Sequence, residues 1–275
     1  MVYSETKMSI VEKKRKKVRI HDLIEMKNQG IKISAITCYD ATFARIIEKT
    51  DIDFVLVGDS LGNVIQGKNS TLPVTLKQIS YHIECVRQAL HTPLLVGDMP
   101  FLTTGISITE TMKNAGRLIQ AGAEAVKIEG ATPEICKQIN HLTHHGIPVM
   151  GHIGLMPQSV HALGGYRIQG KNDTDKKRLL KEAKLLQEAG CFAIVLELIT
   201  PHLATELTKA LKVPTIGIGS GNNCDGNILV LQDMLGMNMQ FKPKFLKHYM
   251  ELEGSMVHSL NQYCSDVKAG NSENE

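Results

Sequence analysis

Twice in this chain an Ala-Gly pair precedes, in the same register, a short apolar run that closes on glutamate: Ala121-Gly122 before AEAVKIE, ending at Glu129, and Ala189-Gly190 before CFAIVLE, ending at Glu197. In each, a glycine stops a helix and a strand follows at once, which marks a repeated βα unit. The run DFVLVGD ends likewise on Asp59, and LLVGD on Asp98. With these the candidate strands number seven, Ile33 to Thr37, Phe54 to Val57, Leu94 to Val96, Ala125 to Ile128, Pro148 to Met150, Phe192 to Leu196 and Pro214 to Ile218, with an eighth expected within Ile228 to Leu235. Several are apolar at consecutive positions, as strands buried on both faces are. Between them, Leu76, Ile79, Ile83, Val86 and Leu90 mark one helical face, and Ile108, Met112, Ala115 and Ile119 another.

Alternation of this kind predicts an α/β fold with a parallel sheet covered by helices, and seven or eight units in 275 residues favour a closed (β/α)8 TIM barrel over an open sheet. No linker rich in Pro, Gly or Ser divides the chain. The expected organisation is an amino-terminal arm over residues 1–20, a single catalytic barrel over 21–265 and a flexible tail over 266–275.

Thirty-one basic against 28 acidic residues leave a net charge of +3, too small to imply a nucleic-acid partner. No apolar run is long enough to span a bilayer, and the basic cluster from Lys13 to Arg19 is followed by no signal-peptide core. A small-molecule partner is expected. The six cysteines stand singly, without zinc-site pairing, and read as reduced thiols of a cytoplasmic protein, Cys38 as a buried filler.

Strand ends on one sheet share one edge, so Asp59, Asp98, Glu129 and Glu197 are expected at the carboxyl rim, where such folds build their sites. Converging carboxylates repel unless a cation joins them, and oxygen-only ligation points to Mg²⁺ rather than Zn²⁺. The alternative for any one acid is that it caps the next helix. Lys127 lies two residues before Glu129, on the same side of the strand: either a structural ion pair or a cation for an anionic substrate. His152, after PVMG, belongs to the same rim. His141, His144 and His145 fall on a helix tail and are expected to meet solvent. GIGSGN (217–222) suits either a phosphate cradle or a tight turn. GGYRIQG (164–170) suits a lid.

Taken in order, GDSLGNVIQGKNSTLPVTL (58–76), GDMPF (97–101), VKIEG (126–130), GHIGLMPQSVHALGGYRIQGK (151–171) and GIGSGNNCDGNILV (217–230) resemble the ketopantoate hydroxymethyltransferase family. The resemblance implies a barrel of the phosphoenolpyruvate mutase and isocitrate lyase type, usually a homodecamer. It further implies transfer of a one-carbon unit from 5,10-methylenetetrahydrofolate to 3-methyl-2-oxobutanoate, through a Mg-stabilised enolate, giving 2-dehydropantoate for pantothenate and coenzyme A. On matching positions it makes Asp59, Asp98 and Glu129 the Mg²⁺ site, with Asp59, Ser60, Asp98, Lys127 and His152 around the oxo acid and Glu197 the base. Two departures stand out. GIGSG replaces a GIGAG pattern, adding one hydroxyl, and MNMQFKP (237–243) replaces a GGHIPKF-like stretch. The competing readings are a related Mg-dependent oxo-acid lyase or mutase, disfavoured because no cysteine lies in a KKCGH-like context, and a silent paralogue, disfavoured because every implied ligand and the base are present.

Overall fold

A computed structural model describes residues 15–159, 167–238 and 243–273. The elements run α1 (Ile20–Gln29), β1 (Ile33–Thr37), α2 (Ala41–Ile47), β2 (Phe54–Val57), α3 (Leu61–Val64), α4 (Leu76–Arg87), β3 (Leu94–Asp98), α5 (Ile108–Gln120), β4 (Ala125–Glu129), α6 (Pro133–His144) and β5 (Val149–Gly154). They continue with α7 (Asp173–Glu188), β6 (Ala193–Glu197), α8 (Pro201–Ala210), β7 (Thr215–Ile218), β8 (Gly226–Leu229), α9 (Leu231–Met234) and α10 (Leu252–Ala269). All eight strands are parallel and pair in chain order, β8 closing on β1.

Helix starts follow from local chemistry. Ser107 and Asn172 accept the first free backbone N–H groups of α5 and α7, and Thr75 and Gln78 cap α4 reciprocally. The strands are apolar on both faces because the barrel has two cores. Val55, Val57, Leu95, Val126, Ile128, Ile194 and Leu196 face outward into the helix layer, packing on Ile79, Ile83, Leu118, Ile139, Leu179 and Leu186. Phe54, Leu56, Leu94, Val96, Ala125, Met150, Ala193, Val195 and Ile216 fill the interior. Leu23 of α1 joins that inner cluster and stops the amino-terminal mouth. Its full burial contributes about 1.5–3 kcal/mol.

Two expectations are corrected. The eighth strand starts at Gly226, ahead of the Ile228–Leu235 window, and Leu231–Met234 is helical. Gly226 is required at that start, because a Cβ there would collide with the Ile33 carbonyl of β1. Next, β3 to β6 run on to or past their polar ends, β5 through His152, because ladder pairing ignores side-chain polarity. At the two ends of the described residues, α10 is helical to Ala269, and Arg15 and Lys17 bond to Asp53 and Glu124 of the barrel. The Met1–Lys14 part of the basic cluster lies outside the described residues.

Candidate active site

The inward series of each strand continues with period two into the rim. After Leu94 and Val96 comes Asp98; after Ala125, Lys127 and Glu129; after Met150, His152; after Ala193 and Val195, Glu197. Ladder register sets Asp98 beside Lys127 and Glu129 beside His152. Asp59 arrives differently. It lies in the turn after β2 rather than closing the strand, and its backbone N–H donates to Asp98 Oδ2 at 3.1 Å. Ser60 follows as the residue before α3.

One cation serves this group of acids. Lys127 Nζ donates to Asp98 Oδ1 at 2.6 Å and lies 3.7 Å from Glu129 Oε1, with all three side chains buried. Gln158, in the short turn after β5, donates its amide to Asp59 Oδ2 at 3.2 Å and to the Met99 carbonyl at 3.0 Å, while its backbone N–H meets Glu129 Oε2 at 3.2 Å. His152 Nε2 donates to the Leu155 carbonyl at 2.9 Å, which leaves Nδ1 as the bare nitrogen, 3.6 Å from Glu129 Oε1. Among the described residues the Glu197 carboxylate has one polar side-chain contact, 3.4 Å to His152 Nε2.

Burial dominates the proton affinities. It raises Asp59 to about 6, with repulsion from Asp98 adding, and raises Glu197 to about 8. Glu129 is pushed well above the usual carboxylate range, first by burial. His152 is held well below the ordinary imidazole value by burial and by Lys127, so the ring is neutral. Burial alone would lower Lys127, but Asp98, Glu129 and Asp59 outweigh it and keep the ammonium charged.

The donor set fits a hard cation. Glu129 Oε1 is buried without a hydrogen-bond partner, and Asp59 and Asp98 bring further carboxylate oxygens to the same rim. Among the described residues no group of three or more His, Cys, Asp or Glu side chains is arranged to hold a metal ion by itself. Oxygen donors of this kind match Mg²⁺ chemistry more than the nitrogen and sulfur ligands of Zn²⁺.

Other expected features sort plainly. His144 and His145 bond backbone carbonyls one turn back on the exposed tail of α6. Cys38 is buried, its thiol pushed up to about 12 by burial. Of the GGYRIQG loop, Gly164 to Tyr166 lie outside the described residues. In GIGSGN the Ser220 hydroxyl is committed to backbone, donating to Leu196 O at 2.7 Å and accepting from Ile199 N–H at 3.0 Å. Those two groups bracket Glu197 and Leu198, the latter at φ +46°, a left-handed conformation costly for leucine. The added hydroxyl therefore fastens the turn that carries Glu197. Gln158 and Tyr39 carried no role in the sequence reading. Gln158 sits within a quoted motif, whereas Tyr39, whose phenol is 2.7 Å from Ser60 Oγ, follows β1 without periodic signal.

A family model described as ketopantoate hydroxymethyltransferase matches residues 17–273. The chain is 46% identical over 253 residues to a 3-methyl-2-oxobutanoate hydroxymethyltransferase of Leptospira interrogans, covering 91% of this chain and 96% of that one. It is 49% identical over 247 residues to the enzyme of the same name from Clostridium botulinum, covering 90% of each. Among solved structures, 2,3-dimethylmalate lyase, a PEP mutase/isocitrate lyase superfamily member, superposes with a TM-score of 0.59 at 13% identity, covering 90% of this chain and 88% of that one. At that identity the likeness extends to the barrel alone.

Proposed function

The chain belongs to the ketopantoate hydroxymethyltransferase family and is a hydroxymethyltransferase of pantothenate biosynthesis acting on 3-methyl-2-oxobutanoate, and from that premise we propose how its rim residues divide the work. Glu197 is the base that takes the C3 proton of the oxo acid. The observation that carries this is the isolation of its carboxylate. Asp98 is locked by Lys127, and Asp59 and Glu129 accept from Gln158, but among the described residues Glu197 has no committed donor and faces a neutral imidazole. Burial raises its proton affinity to about 8, near that of a general base for neutral pH.

Lys127 and Ser60 hold the anionic end of the oxo acid, and His152 packs beside it. The charged Lys127 draws that end inward, so the branched apolar end faces outward, toward the methylene carbon of 5,10-methylenetetrahydrofolate. Asp59, Asp98 and Glu129 would hold Mg²⁺, which when bound supplies Lewis acidity at the keto group and so acidifies the C3 proton. His152, unable to protonate readily in its buried setting, keeps the Glu197 carboxylate from being lost to an ion pair. The carbanion then forms a carbon–carbon bond to the methylene carbon, which leaves the folate as a formaldehyde equivalent as its two carbon–nitrogen bonds break; water supplies the oxygen of the new hydroxyl, and tetrahydrofolate is released.

Self-association, expected as a homodecamer, is supported by α10, which buries none of its residues and exposes Met256, Leu260, Tyr263 and Val267 along one face. The six cysteines are all free thiols, in keeping with a cytoplasmic setting, and among the described residues no helix is long and apolar enough to cross a membrane.

The deciding experiment follows C3 deuterium exchange of 3-methyl-2-oxobutanoate by NMR in the presence of Mg²⁺, and 2-dehydropantoate by mass once methylenetetrahydrofolate is added. Glu197→Gln abolishes exchange while Mg²⁺ still binds. Exchange persisting at the native rate in that variant removes Glu197 from the role of base.

A further inference from the structure

We propose that Tyr39 is a positioning residue for the oxo acid, its buried phenol fixing the orientation in which the Ser60 hydroxyl meets the substrate, an inference that rests on the assignment of Ser60 to substrate binding. Tyr39 lies just past β1. Its backbone carbonyl accepts from His82 Nδ1 of α4 at 2.7 Å, and the preceding Cys38 N–H extends the pairing with β2 by donating to Leu56 O at 3.1 Å. The ring packs edge-on against the His82 imidazole, with centroids 6.1 Å apart, and the residue is 1% exposed. A side chain so held has little freedom to swing its hydroxyl.

That hydroxyl stands 2.7 Å from Ser60 Oγ. Burial pushes the phenol above its ordinary proton affinity, so it remains a donor at any working pH. A buried phenol needs an acceptor for its proton; Ser60 Oγ, at 2.7 Å, is placed to accept it, and the Thr37 side chain is the phenol's second polar neighbour. With one lone pair engaged, the serine oxygen keeps its own proton free to donate. Among the described residues Ser60 Oγ has no other hydrogen-bond partner.

Gly58 shows where the serine oxygen lies. A Cβ on that glycine would sit 3.2 Å from Ser60 Oγ, so the hydroxyl folds back over the β2 terminus instead of pointing along α3. Gly58 immediately precedes Asp59, whose backbone N–H is already bonded to Asp98. The Ser60 donor is thus presented next to the acid cluster and Lys127, where the oxo acid's anionic end is placed. Without Tyr39 the serine rotor would have three staggered choices, and its pairing with substrate would carry an ordering cost.

The test is a double-mutant cycle on the full-length enzyme, using Tyr39→Phe, Ser60→Ala and the pair, read as KM for 3-methyl-2-oxobutanoate and kcat separately. Phenylalanine keeps the ring packing, and near-ultraviolet circular dichroism checks that the fold is retained. Tyr39→Phe raises KM roughly 5- to 10-fold, the worth of one net hydrogen bond, with kcat changed less than threefold. Ser60→Ala raises KM at least as much, and the double variant matches Ser60→Ala alone. Multiplicative losses in the double variant, or a Tyr39→Phe enzyme with native KM beside an impaired Ser60→Ala, overturn the role of Tyr39. A Ser60→Ala enzyme with native KM overturns the Ser60 assignment itself.

Discussion

At the amino rim of the barrel, Asp53, Glu124 and Asp225 each stand one residue before a strand, and each has a cation and backbone donors of its own. Arg15 bonds Asp53 at 2.8 Å, Lys17 bonds Glu124 at 2.5 Å, and Lys27 bonds Asp225 at 2.7 Å. The Ser34, Leu95 and Thr215 N–H groups add 2.8, 3.1 and 2.8 Å hydrogen bonds to the same carboxylates. At the carboxyl rim Asp59, Asp98, Glu129 and Glu197 share Lys127, Glu129 Oε1 and His152 Nδ1 are buried without partners, and Leu198 is strained. Similar residue types thus serve opposite ends. One rim satisfies its charges and closes the fold, and the other leaves polar atoms without partners inside it.

Two lysines make the sharpest contrast, since Lys127 meets Asp98 at 2.6 Å and Lys27 meets Asp225 at 2.7 Å. Lys127→Met is expected to lower kcat/KM by about 10²–10³-fold, the scale of losing one preorganised charged donor at a reacting centre. Steady-state kinetics check it, and a loss under fivefold would make Lys127 merely structural. Lys27→Met should spare kcat/KM and cost about 2–3 kcal/mol of stability, because Asp225 is left mostly buried with only the neutral N–H and hydroxyl donors of Thr215. Urea unfolding measures that cost. Native stability in Lys27→Met, or a crippled active site, would erase the distinction between the rims.

Most of the carboxyl rim was legible in the sequence because its residues, Asp59 in its turn excepted, obey period two: an apolar inward series that suddenly reads Asp98, or Lys127 and Glu129, breaks a pattern anyone can count. The amino rim was not, although Asp53 opens the very run DFVLVGD. Its meaning depends on Arg15, 38 positions earlier, and that of Glu124 on Lys17, 107 positions earlier, pairings no local period encodes. Tyr39 and Ser220 escaped for a similar reason, since each acts through one hydroxyl across the barrel wall. Strand existence was local and readable. The start of β8 was not, because Gly226 is demanded by contact with β1.

If the carboxyl rim trades stability for function, neutralising it should stabilise the protein even as it removes activity. The sign follows from Glu197. Its folded proton affinity, near 8, lies above the ordinary value of 4.5, so the folded state binds its proton more tightly than the unfolded chain. The resulting stability is complete below about pH 4.5 and is lost as pH rises to 8. Glu197→Gln cannot ionise. In protein stripped of divalent ions it should be about 1–2 kcal/mol more stable than the parent above pH 8, read as a melting point higher by a few degrees, with little difference at pH 5. A variant less stable at both pH values would show that the rim acid stabilises the fold.

The smallest effect tests where the amino rim begins. Arg15 lies in the arm expected to stand apart from the barrel, yet its guanidinium donates to the carbonyls of Thr50, Asp51 and Ile52 as well as to Asp53, joining the loop before β2 from outside. The side chain is partly exposed, so water replaces some of what Arg15→Ala removes, and a loss of about 1 kcal/mol is expected with kcat/KM unchanged. A loss near zero would place the edge of the folded unit after Arg15 and leave Asp53 to its Ser34 donors. A drop in activity at full stability would mean that the lower rim bears on the upper one. The expected result, a small cost in stability and none in rate, keeps the two ends of the barrel energetically separate, because the inner core from Phe54 to Val195 lies between them and is packed with side chains that have no charge to transmit.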